Sequence, residues 1–129
     1  MNKLTFETTT LNTLSFVLKV DGKPMLDARD TNEREIPAWI CEEGIPSFPP
    51  MTPGADRLIV GVCGCGEYGC GHTSACIERK DGVVRLFDFQ GPGRPVGGFE
   101  FSQQEFDEVS AEIGMIAKVQ VAKWQEDLK

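Results

Sequence analysis

One short stretch constrains this chain more than any other: Val60-Gly61-Val62-Cys63-Gly64-Cys65-Gly66-Glu67-Tyr68-Gly69-Cys70-Gly71-His72. Three of the five cysteines and the only histidine of the 129-residue sequence fall within ten residues there, spaced C-x-C-x4-C-x-H. Glycine separates almost every ligand-type residue from the next. Gly66-Glu67-Tyr68-Gly69 is a common length and composition for a hairpin loop. A hairpin turning there sets Cys65 opposite Cys70 and Cys63 opposite His72. Because side chains alternate along a strand, the four ligand-type groups then share one face and the glycines take the other. Opposed residues lie about 4.5–5.5 Å apart, close enough to converge on one ion or to form a disulfide.

The cluster admits three readings. In the first, Cys63, Cys65, Cys70 and His72 bind zinc, because thiolate and imidazole in a three-sulfur, one-nitrogen set suit a tetrahedral structural site. With all four bound, no position is left for water, and hydrolytic chemistry is excluded. With His72 unbound, a three-cysteine site stays open. In the second, Cys63 and Cys65, or Cys65 and Cys70, form a reversible disulfide, with His72 lowering a thiol pKa. That would be a thiol-dependent redox protein or sensor. In the third, the cysteines are inert. The C-x-C spacing is less diagnostic than paired C-x-x-C knuckles, and a glycine-rich hairpin tip is poor scaffolding for a Cys/His hydrolase. The two remaining cysteines read as bystanders: Cys41 as a small buried hydrophobe, Cys76 as a structural thiol on the ligand-bearing face.

The rest of the chain predicts an α+β fold: an antiparallel, meander-like sheet, a Pro-rich covering loop and a C-terminal helix. The expected divisions of a single domain over 1–129 are N-terminal strands (1–35), a Pro-rich covering loop (36–57), a Cys-rich three-stranded meander (58–89) and a C-terminal helix (102–128). Leu14, Phe16, Leu18 and Val20 alternate with intervening residues at the period of a half-buried strand. Asp21-Gly22 is a strong turn signal, with a short return strand starting at Pro24. Five prolines in residues 36–56 argue against a long helix or a central strand there. Trp39, Ile40, Ile45, Phe48 and Met51 make that segment too apolar for a free linker, so it is expected to cover the sheet.

Asp81-Gly82 sets a second register. A two-residue loop pairs Lys80 with Val83, Glu78 with Arg85 and Ile77 with Leu86. Val60, Val62, Ala75 and Ile77 are expected on the face that meets the core. Gly91 to Gly98 reads as a connector, without a phosphate-binding pattern. Ser102-Gln103-Gln104-Glu105 is a capping box, flanked by the staple pair Phe101 and Phe106. Phe106, Val109, Ile113, Ile116, Gln120, Trp124 and Leu128 follow helical spacing. Gly114 in that helix predicts a kink or a close packing contact. Beyond about residue 120 the helix is expected to reach past the domain and is available to another subunit.

The balance of 20 acidic against 13 basic residues gives a net charge of −7. That argues against nonspecific binding to nucleic acid or to anionic membranes, both of which need clustered Lys and Arg. High net charge serves first as a solubility device; it is also compatible with a basic protein partner, including one that an immunity or inhibitor protein would neutralise. No apolar run approaches the roughly 20 residues needed to span a bilayer. The first residues lack a signal-peptide pattern, so a cytoplasmic location is expected. There, clustered cysteines are more often metal-binding or catalytic than disulfide-bonded. No hydrolase or phosphoryl-transfer pattern stands out, which favours a binding or regulatory role over an enzyme.

The run from Cys63 to Gly71, followed by Val84-Arg85-Leu86-Phe87-Asp88-Phe89, resembles the C-x-C-G-x-x-G-C-G hairpin of small uncharacterised bacterial proteins. The resemblance covers roughly residues 58–89. It implies a bacterial cytosolic origin and a shared hairpin, and carries the three cysteines over to Cys63, Cys65 and Cys70. That pattern has no fixed histidine, so it assigns no role to His72.

Overall fold

The computed structural model describes residues 1–9, 14–26, 35–47, 56–62, 72–91 and 97–127. The fold is α+β. Eight strands form one antiparallel sheet: β1 (Leu4–Thr9), β2 (Ser15–Val20), β3 (Lys23–Pro24), β4 (Glu35–Pro37), β5 (Arg57–Val62), β6 (His72–Lys80), β7 (Val83–Gln90) and β8 (Phe99–Ser102). A 25-residue helix, α1 (Gln103–Asp127), follows. The spatial order β1-β2-β4-β5-β6-β7-β8 tracks the chain, with β3 pairing only with β2. The sheet is thus a meander, as the run of short strands and turn signals predicts.

The two Asp-Gly turns follow from backbone sterics. Asp21 and Gly22 have φ of 53° and 84°, and Asp81 and Gly82 have 54° and 76°. Two consecutive left-handed residues make the turn whose twist matches flanking strands. The second turn gives the expected register, with Lys80 opposite Val83, Glu78 opposite Arg85 and Ile77 opposite Leu86. Arg85 Nη1 donates to Glu78 Oε1 at 3.3 Å. The return strand after the first turn is Lys23–Pro24 and so starts one residue before Pro24.

Two expectations about the middle of the chain need correction. A central strand does form where prolines argued against one: Glu35–Pro37 lies between β2 and β5. It is tolerated because only Glu35 pairs with β5, so Pro37 meets β2 alone, opposite Ser15. The irregular segment therefore begins after Pro37, with a 3₁₀ turn at Ala38–Ile40. Ser47 bridges to Leu58. Phe48 and Met51 lie outside the described residues. Phe99–Ser102 is a further strand, paired with β7.

One apolar cluster is built from the strands and α1. Leu4, Phe16, Leu18, Ile36, Val60, Ala75, Val84, Leu86 and Phe101 meet Phe106, Ile113 and Ala117 of the helix. Phe101 and Phe106 have ring centroids 6.0 Å apart, which is the expected staple. The capping box is half formed: Ser102 Oγ accepts from the Glu105 N–H at 3.4 Å. The Glu105 carboxylate instead accepts from the Leu4 N–H at 2.9 Å, tying helix start to first strand. Gly114 serves close packing. A Cβ there would stand 3.0 Å from the Gly44 nitrogen and 3.2 Å from the Glu42 carbonyl oxygen. On the same helix face, Ser110 Oγ accepts from the Ile45 N–H at 3.0 Å. Trp124 also packs on the core, so α1 stays against the domain past residue 120.

The two edges of the sheet meet at one end. The Asn2 N–H donates to the Glu100 carbonyl at 2.8 Å, and the Glu100 N–H donates to Asn2 Oδ1 at 3.0 Å. The Asn2 side-chain amide also donates to Asp21 Oδ2 at 2.9 Å, and the Lys3 N–H donates to Asp21 Oδ1 at 2.8 Å. These donors, the Asn2 side chain first, hold the Asp21 carboxyl below the ordinary aspartate range.

Candidate functional site

Of the four candidate ligands, His72 is described, whereas Cys63, Cys65 and Cys70 lie outside the described residues. His72 opens β6 and is half-buried. Its cross-strand partner is Val62, the last residue of β5, and Gly61 faces Thr73. The expected pairing of Cys63 with His72 is therefore corrected by one residue. Farther from the loop a bulge in β5 shifts the pairing again: Ile59 pairs with Ser74, one residue out of step with Gly61 and Thr73. One extra residue in a strand shifts everything beyond it.

The same bulge splits the four residues expected to meet the core. Val60 and Ala75 lie inside the cluster and Ile77 packs against it. Val62 is buried at 1% exposure but stands opposite His72, outside that cluster. The strand end carrying His72 is fixed by Gly91, whose φ is +131°. A Cβ at Gly91 would lie 2.5 Å from the His72 carbonyl oxygen and 2.7 Å from Thr73 Cα, so only glycine fits.

β6 itself is regular, so His72, Ser74 and Cys76 share one face. On that face an arginine joins three strands. Arg57 Nη2 donates to Ser74 Oγ at 3.0 Å and to the Asp88 carbonyl at 3.0 Å. Its Nη1 donates to Cys76 Sγ at 3.0 Å and pairs with Asp88 Oδ2 at 3.3 Å. Asp88 reaches this position because it carries φ of 50° at a second bulge, in β7. Chemically the group is a tie, since the guanidinium is spent on oxygens and sulfur of neighbouring strands. Cys76 lies within this tie as a half-buried thiol. Sequence reading missed Arg57 and Asp88. The signal that would have found them is a bulge, and Asp88 gives no glycine to mark it.

Cys41 is fully buried in the core cluster. Burial pushes its thiol well above the ordinary range, which leaves it unreactive and unsuited to metal. A cleft of about 600 Å³ lies elsewhere, beside Asn2, Arg85, Phe87, Phe99 and Glu100. Its cation is already committed, with Arg85 3.6 Å from Glu100, 3.3 Å from Glu78 and 5.0 Å from the Phe87 ring. Among the described residues, no group of three or more Cys, His, Asp or Glu is arranged to hold a metal. No described helix is long and apolar enough to cross a membrane. Comparison of the chain with protein-family models, curated proteins and solved structures returns no significant match.

Proposed function

We propose that this chain is a non-enzymatic binding or regulatory domain in which Cys63, Cys65, Cys70 and His72 hold zinc as a structural element. The observation that supports this best is the pairing of Val62 with His72. It brings together the two residues that border segment 63–71, and the three cysteines fall within those nine residues of sequence. Closing that segment in advance lowers the ordering cost that a metal would otherwise meet. His72 stands opposite Val62 and not Cys63, so the cysteines must reach it from the loop itself. The glycines between them give the backbone the freedom to do so. Four bound ligands leave no open position on the ion, which is why the site is structural and not hydrolytic. The −7 charge favours a basic protein as the partner.

The test is metal content and thiol count on untagged protein purified without chelator or reductant. Near-stoichiometric zinc is expected, with chelator exposing three further thiols. No metal and two missing thiols would replace this reading with the redox one, using the Cys63/Cys65/Cys70 cluster. No metal and all thiols free would overturn both.

A further inference from the structure

The outer face of α1 is apolar at its centre, with Glu108 and Glu112 before that centre and Lys118 and Lys123 after it, followed by the exposed Glu126 and Asp127 at the helix end. Met115 is 70% exposed and Val119 is 71% exposed. Ala111 and Ala122 are exposed beside them, while the opposite face buries Phe106, Ile113, Gly114 and Ala117. Glu108, Ala111, Met115, Lys118 and Ala122 recur at alternating spacings of three and four, the seam by which two helices pack. Glu108 and Glu112 flank this seam toward the N-terminus, and Lys118 and Lys123 toward the C-terminus. All four are exposed.

We propose that this face binds a second copy of the chain, with the two α1 helices antiparallel and the two-fold axis at Met115. A two-fold interface must be complementary to itself, and this face is. Residues equally far before and after Met115 come level. The second copy then sets Val119 level with Ala111, Lys118 level with Glu112, and Lys123 beside Glu108. A parallel pair would set acid against acid and base against base. Antiparallel helices also bring opposite dipole ends together. The two Met115 side chains meet at the axis, where an unbranched thioether adapts to its own copy. The ion pair that this face makes among the described residues, Lys118 to Glu43 at 3.8 Å, is solvent-exposed and easily exchanged. One helix face is at the small end of interface sizes, so the dimer should depend on concentration. The inference does not rest on zinc.

Sedimentation equilibrium of the full chain over a concentration series tests it, with circular dichroism as the folding control. The parent should pass from monomer to dimer. Met115→Glu and, separately, Val119→Glu should leave the spectrum intact and weaken the dimer about tenfold or more. Lys123→Glu should weaken it, and Glu108→Lys with Lys123→Glu should restore it. Chelator should change nothing. A parent that stays monomeric at the highest concentration overturns the proposal, as does a dimer indifferent to Met115→Glu and Val119→Glu. Failure of the charge swap to rescue overturns the antiparallel arrangement, and loss of the dimer on chelation means that metal bridges the copies.

Discussion

Glu105 shows how far a local motif can be read and where reading stops. The sequence offers a capping box, and Ser102 does accept from the Glu105 N–H. The other half of the box is diverted, because the Leu4 N–H, 101 positions away in the chain, takes the carboxylate. Leu4 is 1% exposed, so its amide has no access to water. Glu105→Ala should therefore cost about 1–3 kcal/mol, the cost of a buried donor left unmade. Glu105→Gln, which keeps an acceptor, should cost less. Urea denaturation of the two variants checks the order. A local window contains Ser102 and Glu105 but not Leu4, which is why the cap was legible and its rerouting was not.

Among the elements, hairpins set by a two-residue turn were legible and those containing bulges were not. Asp81-Gly82 leaves no freedom, since both residues must adopt positive φ and the pairing of every residue beyond is then determined. Gly82→Ala forces a Cβ into φ of 76° with open space around it, so the cost is conformational, about 1–2 kcal/mol. Thermal melting should register that loss without any change in spectrum. The β5–β6 hairpin differs because its register depends on an extra residue near Val60, and nothing in Ile59-Val60-Gly61 distinguishes a bulge from a regular strand. β4 and β8 were missed for another reason. Each has only three or four residues, and Pro37 and the helix cap at Ser102 supplied a competing local signal. Of the candidate site, the order of residues was legible, whereas the partner of His72 was not.

At the scale of the molecule, the sheet is held at one end by Asn2, which reaches β8 through its backbone and side chain and the first turn through Asp21. Asn2→Ala removes the side-chain acceptor of the Glu100 N–H and keeps the backbone bond. Amide exchange at Glu100 should then quicken by about tenfold, roughly the loss of one hydrogen bond, while the amides of Phe16 and Leu18 in the buried strand β2 keep their protection. Uniform acceleration across both strands would mean that the edges are not a separate unit.

That closure also bears on how the protein behaves when concentrated. An exposed strand edge is a template on which further copies can add without limit. At the start of this edge two donors are occupied, the Asn2 N–H just before β1 by Glu100 and the Leu4 N–H at its first residue by Glu105. An incoming strand finds no open ladder there. Fibrillar growth from this end would have to break the Glu105 contact first, so variants at that carboxylate are where a loss of solubility should first be felt.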